Sequence, residues 1–397
     1  MRPMNIAGGS GPGGRRQTRG FSMLSGRTVL IGVAVVIFIV LAAPSLGAAL
    51  GGRAGGLRGT RHRQYPIAPV EPDGTRARQW SLTDANADSF RVAIVADLDK
   101  QSKDKGAKKP TFHSEFKEGT LRRSGGPGGA WTMEWDRETT LTSQHSEAGR
   151  GMELSELVKW HGRLYTMDDR SGIVFEIYQK KPGALLSVPR WILMEGDGNA
   201  AKGQKTEWAT VKDDVLYTGS FGKEYVNAAD GSITSLNNLW VSTVDAQGTI
   251  SHEDWTDEYN AMRKETNSLY PGYMIIETIL WSPIKRKWFV LPRRVSSEPY
   301  DEVADEKRGD NIVIVCNEDF TEVSSFRVGV KTPERGFSSA KFLPGSGDNI
   351  LVALKSEENE AQQTQGTYLT IFDTDGNTLL AETEVPGGHK YEGLEFV

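Results

Sequence analysis

Between residues 153 and 397 one pattern returns five times: an acid or a serine, apolar residues, a short turn, and a second strand-like run with a polar end. The copies are MELSELVKWHGRLYTMDDR, TEWATVKDDVLYTGSFGKE, IETILWSPIKRKWFVLPRRVS, FSSAKFLPGSGDNILVALKSEE and a terminal YEGLEFV. Anchored on Glu153, Glu207, Glu277, Ser338 and Glu392, they lie 54, 70, 61 and 54 residues apart. Such spacing suits a propeller blade of four strands with generous loops. The fifth copy reaches Val397 with no chain left for the rest of its blade, so its other three strands are expected from the start of the domain. RVAIVADLDK, GTLRRS and AWTMEWD stand there in the right order, and ADLDK has the polar ending of MDDR, PRRVS and KSEE. Pairing the last strand with the first would close the ring and remove the open edges of a sheet.

From about residue 80 the chain reads as short strands rich in Val, Ile, Trp, Tyr and Thr, bounded by Gly, Asp, Asn or Pro. No long stretch carries helical periodicity. The expected fold is therefore all-β, a five-bladed β-propeller closed by its N- and C-terminal strands.

Charge is unevenly placed along the chain. Residues 1–79 hold eleven Arg against Glu71 and Asp73, which leaves 36 basic and 50 acidic side chains in the remainder, a net charge of −14. An acidic body excludes nucleic acid as a partner and calls for a cation wherever an anionic ligand is to be held. The single cysteine, Cys316, sits in the apolar run NIVIVCNEDF and reads as a buried strand thiol.

Thr28–Leu50 contains no charged residue in 23 positions, long enough to cross a hydrocarbon core of about 30 Å as a helix. We expect residues 1–27 to be an Arg/Gly-rich tail, 28–50 a transmembrane signal anchor, 51–79 a flexible stem and 80–397 the propeller. Small residues at the end of the apolar run (SLGAA) keep cleavage as a signal peptide in play, which would give a secreted form. Arginines flank both sides, so the positive-inside rule gives only a slight vote on orientation.

In a propeller the first strand of each blade lines the central channel, so the five anchors point toward one axis. Glu207, Glu277 and Glu392 would converge there with Ser155 and Ser338. Carboxylates brought together repel unless a cation sits between them, and a shell of carboxylate, hydroxyl and carbonyl oxygens suits Ca2+. Zinc is disfavoured, because none of the six His shows paired ligand spacing. Any one of these acids could simply cap a strand; recurrence at one place in successive repeats is what favours a site. Other motifs fail: GSFGKE lacks the Ser/Thr of a P-loop, and no helix pattern follows SGGPGGA. DTDGN has its Gly at the fourth position where a calcium loop needs the sixth, and reads as a hairpin turn.

IVADLD, GRGMELSELV, YTMDDR, MEGDGNAAKGQKTEW, PGYMIIETILWSP, FVLPRR, RGFSSAKFLPG, VALKSEE and KYEGLEF occur in collinear order from about residue 90 to 397. Together they resemble the soluble calcium-activated nucleotidases, the apyrase family that includes salivary apyrases of some blood-feeding insects. The resemblance implies a five-bladed propeller with a central calcium that hydrolyses nucleoside di- and triphosphates. Vertebrate members of the family favour UDP and GDP and reside in the endoplasmic reticulum and Golgi, which here implies a single-pass protein with a lumenal C-terminal domain. Carried over by motif, the calcium shell falls on Ser155, Glu207, Glu277, Ser338 and Glu392, the positions the repeats select. The expected reaction is calcium-dependent attack of water on the terminal phosphate of UDP, GDP or, more weakly, ADP.

Phosphates in an acidic domain need a metal and local cations, and the candidates for the clamp are Arg170, Lys205, Arg293 and Arg294. Asp97, Asp99, Glu153, Asp168 and Asp169 gather on the same expected rim, where one could position or deprotonate the water. Trp208 is a candidate for stacking a base. A homodimer is left open by the residues. The alternative of another class is a calcium-stabilised propeller that binds or scaffolds without turnover.

Overall fold

The computed structural model describes residues 88–397, apart from 127, 182, 228, 360, 361 and 363. The apolar run at 28–50, with the tail and stem around it, lies outside the described residues. Among the described residues no helix is long and apolar enough to cross a membrane.

Twenty of the strands form five antiparallel sheets of four. In chain order they begin with β1 (Ser89–Asp97), β2 (Phe112–Arg123) and β3 (Trp131–Ser143). The next sheet is β4 (Leu154–Trp160), β5 (Arg163–Asp168), β6 (Ile173–Lys181) and β7 (Ala184–Ile192). The third takes β8 (Trp208–Lys212) and β9 (Val215–Gly219); a small ribbon of β10 (Tyr225–Val226) and β11 (Ile233–Ser235) intervenes before its β12 (Trp240–Val244) and β13 (Ile250–Asp254). A helix, α1 (Thr256–Glu265), leads to β14 (Tyr273–Ser282), β15 (Lys287–Ser296), a one-turn α2 (Glu302–Asp305), β16 (Ile312–Cys316) and β17 (Val323–Arg327). The last complete sheet is β18 (Arg335–Phe342), β19 (Ile350–Asn359), β20 (Thr364–Asp373) and β21 (Thr378–Glu384), and β22 (Lys390–Phe396) ends the chain.

The ring closes as the repeats require. β22 pairs antiparallel with β1, Ile94 facing Leu394 and Val92 facing Phe396, in the order β22-β1-β2-β3. Alternation along β1 then serves two interfaces, because successive side chains point to opposite faces. Val92 and Ile94 join Leu394 and Phe396 against Val352, Leu369 and Ile371 of the preceding blade, while Ala93 and Val95 meet Phe116, Leu157 and Phe175 on the other side. Three further clusters fill the remaining interfaces, the most aromatic holding Trp208, Trp255, Trp281 and Trp288. Each fully buried Leu or Phe there contributes on the order of 1.5–3 kcal/mol. Gly393 has a stricter role: a Cβ would come within 2.7 Å of the Glu156 and Leu157 backbone, so only glycine lets β22 and β4 approach this closely.

The all-β reading holds, with one addition. The segment TDEYNAMRKE forms the ten-residue α1, which puts Tyr259, Met262 and Arg263 into the protein. Asp257 and Glu258 stand in its first turn and Arg263 and Lys264 in its last, as the helix dipole favours, with Glu265 at the C-terminal end as the exception. A single buried stripe over ten residues is too short for its period to stand out in the sequence.

Candidate active site

The first strand of each blade (β4, β8, β14, β18 and β22) lines the channel; β4, β14, β18 and β22 carry Ser155, Glu277, Ser338 and Glu392, and Glu207 directly precedes β8. The local cause is a recurring irregularity. The pairing register slips between Leu154 and Glu156, between Ile276 and Ile279, and between Phe337 and Ser339, so Ser155, Glu277 and Ser338 fall at the breaks. In β22 the slip skips Glu392, with Val95 opposite Gly393 and Ala96 opposite Tyr391. Glu207, one residue before β8, donates its N–H to the Gly219 carbonyl at 2.8 Å although Gly219 already stands opposite Trp208. A bulge leaves a residue out of the ladder and re-aims its side chain. Thus the repeat anchors are a repeated backbone device as well as a repeated residue type.

All five anchors are buried, each no more than 5% exposed. Arg293 binds Glu277 at 2.7 Å and Glu392 at 3.1 Å through one guanidinium nitrogen, which brings these two carboxylates together although they are 115 residues apart in sequence. Burial pushes the Glu207 carboxyl up to about 8, an effect opposed by Lys205 and increased by Asp169 and Glu277. Glu392 is held well above the ordinary range by burial, with repulsion from Glu277 and Asp97 outweighing part of what Lys390 and Arg293 return. Ser155 Oγ and Glu277 Oε2 are buried without a hydrogen-bond partner. Ser338 Oγ donates to the Tyr391 carbonyl at 3.2 Å. Concentrated acids, hydroxyls and orphaned oxygen atoms are the donor set of a hard cation, and these residues fit Ca2+.

Above this ring the end of β1, the turn after it and the residue before β4 supply the rim. Carboxylate oxygens of Asp97, Asp99 and Glu153 lie within 4.8 Å of one another. Lys390 binds Asp97 at 2.7 Å, Asp99 at 3.0 Å and Glu392 at 3.4 Å, so one ammonium ties the rim to the axis. Arg150 forms a paired contact with Glu153, Nε to Oε1 at 2.7 Å, and approaches Asp99 at 3.5 Å. Burial raises Glu153 to about 7 and Asp97 to about 6, each partly offset by its cation. Asp99 goes the other way: Lys390, Lys205 and Arg150 overcome its burial and hold it below the usual range.

The remaining expected residues divide. Lys205 pairs with Asp169 at 2.6 Å and with Glu207, and stands at the channel mouth. Arg293 and Arg294 line a cavity of about 180 Å³ with Glu277, and Arg294 reaches Asp305 at 3.5 Å. Asp169 keeps one buried oxygen without a partner. Asp168, by contrast, is occupied in the turn: it accepts from the N–H groups of Met152 at 2.9 Å and Arg170 at 3.0 Å and from Ser171 Oγ at 2.8 Å. Arg170 contributes its backbone there, and its guanidinium enters none of the ion pairs that join the ring and rim. Trp208 corrects the expectation of a stacking ring. It has no exposed surface, packs against Trp255, and donates its Nε1–H toward the Ser220 carbonyl and Tyr259 Oη, so no base can reach it.

Besides Arg150, two residues of the site were missed by sequence reasoning. Lys390 stands two residues before Glu392, as Lys205 stands two before Glu207; the recurrence of Lys-x-Glu was the available signal. Glu156 is fully buried beside Ser155, where burial lifts it to about 7 against the pull of Lys341. It accepts from Ser339 Oγ at 2.8 Å, and its other oxygen faces Lys341 at 3.2 Å. Taking one anchor per blade hid it.

The apyrase family matches over residues 98–397. The chain is 40% identical over 336 residues to soluble calcium-activated nucleotidase 1 of Rattus norvegicus, covering 84% of this chain and 77% of the relative. It is 39% identical to apyrase apy-1 of Caenorhabditis elegans, covering 79% and 86%, and 40% identical to an apyrase of Cimex lectularius, covering 78% and 82%. The chain belongs to the apyrase family.

Proposed function

We propose that this protein is a calcium-dependent hydrolase of nucleoside di- and triphosphates, releasing the terminal phosphate at the channel mouth. The observation that carries the reading is the set of bulged, buried anchors, Ser155, Glu207, Glu277, Ser338 and Glu392, with orphaned oxygens on Ser155 and Glu277. These residues would hold Ca2+, which when bound supplies positive charge to the phosphate oxygens and orients water. Lys205 and Arg293 sit against the same carboxylates, positioned to receive phosphate charge as it builds on the leaving group. Glu153, lifted to about 7, is placed to accept the proton of an attacking water near neutral pH, and Arg150 orients it. Asp97 and Asp99, bridged by Lys390, stand beside Glu153 on the rim, the three carboxylates within 4.8 Å of one another.

UDP, GDP and ADP are the substrates to try first, since family resemblance points to nucleoside diphosphates. We further place the domain in the lumen of the endoplasmic reticulum or Golgi, anchored through residues 28–50, with release if that segment is cleaved. Phosphate release from UDP, GDP and ADP with calcium or with chelator tests the chemistry. Release that depends on calcium is expected; none from any of the three would leave a non-catalytic calcium-stabilised propeller instead.

A further inference from the structure

The body that must collect a polyphosphate is itself strongly anionic, net −14 over residues 80–397, so a nucleotide approaching from solution meets overall repulsion. One exposed segment reverses that sign. The β1–β2 connection, DKQSKDKGAKKP at residues 99–110, carries Lys100, Lys103, Lys105, Lys108 and Lys109 against Asp99 and Asp104, and all five lysines are exposed. None of the five enters an ion pair among the described residues, so their charge is open to solvent. Asp104 is turned back on the loop, where it accepts from the Gly106 N–H at 2.8 Å.

The fold holds this loop at the channel mouth. β1 ends on the rim residue Asp97, Asp99 opens the connection, and β2 starts at Phe112, which bridges to Lys103. The Asp104 N–H donates to the Thr111 carbonyl at 2.9 Å, so the base of the loop is tied. Lys100 lines a polar cavity of about 430 Å³ together with Asp99, Arg150 and His389. The Lys103 ammonium stands over the next turn, 3.7 Å from where a Cβ on Gly149 would lie, one residue before Arg150. Lysine charge thus runs up to the arginine that holds Glu153.

We propose that this loop is an electrostatic collector for polyphosphate at the channel entrance and that it biases the protein toward nucleoside triphosphates whatever their base, an assignment that rests on the hydrolase reading. Lysine suits the task, being a strongly hydrated point charge on a flexible stem that attracts a phosphate chain without fixing its geometry. Each phosphate added to the chain brings about one more negative charge, so the attraction grows from diphosphate to triphosphate. Screening limits the reach: the Debye length falls from about 30 Å at 0.01 M salt to about 8 Å at 0.15 M, so the effect must fade as salt is added.

The test replaces the four outer lysines together and leaves Lys100, which borders the rim. Exposed side chains without partners can be exchanged with little effect on folding. In stopped-flow mixing with GDP labelled on its ribose by a fluorophore, Lys103→Gln, Lys105→Gln, Lys108→Gln and Lys109→Gln in one chain should slow association about tenfold at about 0.01 M salt and less than about twofold at about 0.5 M. The matching four Lys→Arg substitutions keep the charge and should restore the rate. In turnover the loss should fall on kcat/KM with kcat unchanged, and the preference for UTP over UDP should drop about threefold. Association within about twofold of the unsubstituted protein at low salt, or an equal loss with the arginines, would overturn the collector. Salt-dependent slowing of association, together with no phosphate release from any nucleotide by the unsubstituted protein, would support the collector and reject the hydrolase.

Discussion

The channel holds two groups of carboxylates that differ in how their charge is met. On the rim, Asp97, Asp99 and Glu153 each bind a cation of the protein itself, Lys390 or Arg150. On the axis, Glu207, Glu277 and Glu392 share Lys205, Arg293 and Lys390 with their neighbours, and the adjoining Ser155 and one oxygen of Glu277 remain buried without a partner. With Asp169 included, seven carboxylates meet four of these cations. Burying unbalanced charge is expensive in a low-dielectric interior. The difference teaches that each rim carboxylate is already met by a cation of the protein, whereas the axis keeps buried oxygen atoms on Ser155 and Glu277 that an external cation would satisfy.

Removing an axis carboxylate should have the largest effect. Glu277→Gln is expected to lower calcium-dependent phosphate release about a thousandfold, the several kcal/mol that a bound cation supplies, and to shift the calcium midpoint with it. Chelator added to the unsubstituted protein should reproduce the loss. Next comes Lys390→Met, which strips the cation common to both groups and leaves buried acids unpaired. Denaturant unfolding should show about 3 kcal/mol less stability; an unchanged midpoint would mean the two groups are not coupled through this ammonium.

A rim substitution should separate the groups. Glu153→Gln is expected to reduce kcat about a hundredfold, as loss of a general base does, while the calcium midpoint moves less than about twofold. A large shift in that midpoint would merge rim and axis into one metal site. The smallest effect is expected at Trp208→Phe, which should cost about 1–2 kcal/mol of stability through a lost hydrogen bond and a small void, with KM for UDP unchanged. An altered KM would return that ring to the substrate.

The same contrast explains what the sequence made legible. Inner strands such as KYEGLEF and YMIIETILWS are buried along nearly their whole length, so their apolar runs and anchors recur visibly, and the closure through β22 could be expected from them. Outer strands such as β17 and β21 are mostly exposed and polar, and VSSFR or TLLAETE carries little to mark it as a strand. In the site, the five axis residues were legible because each blade repeats them. Arg150, Glu156 and Lys390 were harder, since each answers a local charge and only a three-dimensional neighbour reveals it. Trp208 shows the opposite error: a residue next to an anchor in sequence points the other way along a strand, into the core.

The most direct test of the central claim is calorimetric titration of calcium into the chelator-treated protein and into Glu277→Gln. One calcium per chain in the former, bound at least tenfold more weakly in the latter, is the predicted result. Equal affinity in both, or no calcium bound by either, would contradict an axis built to hold a cation.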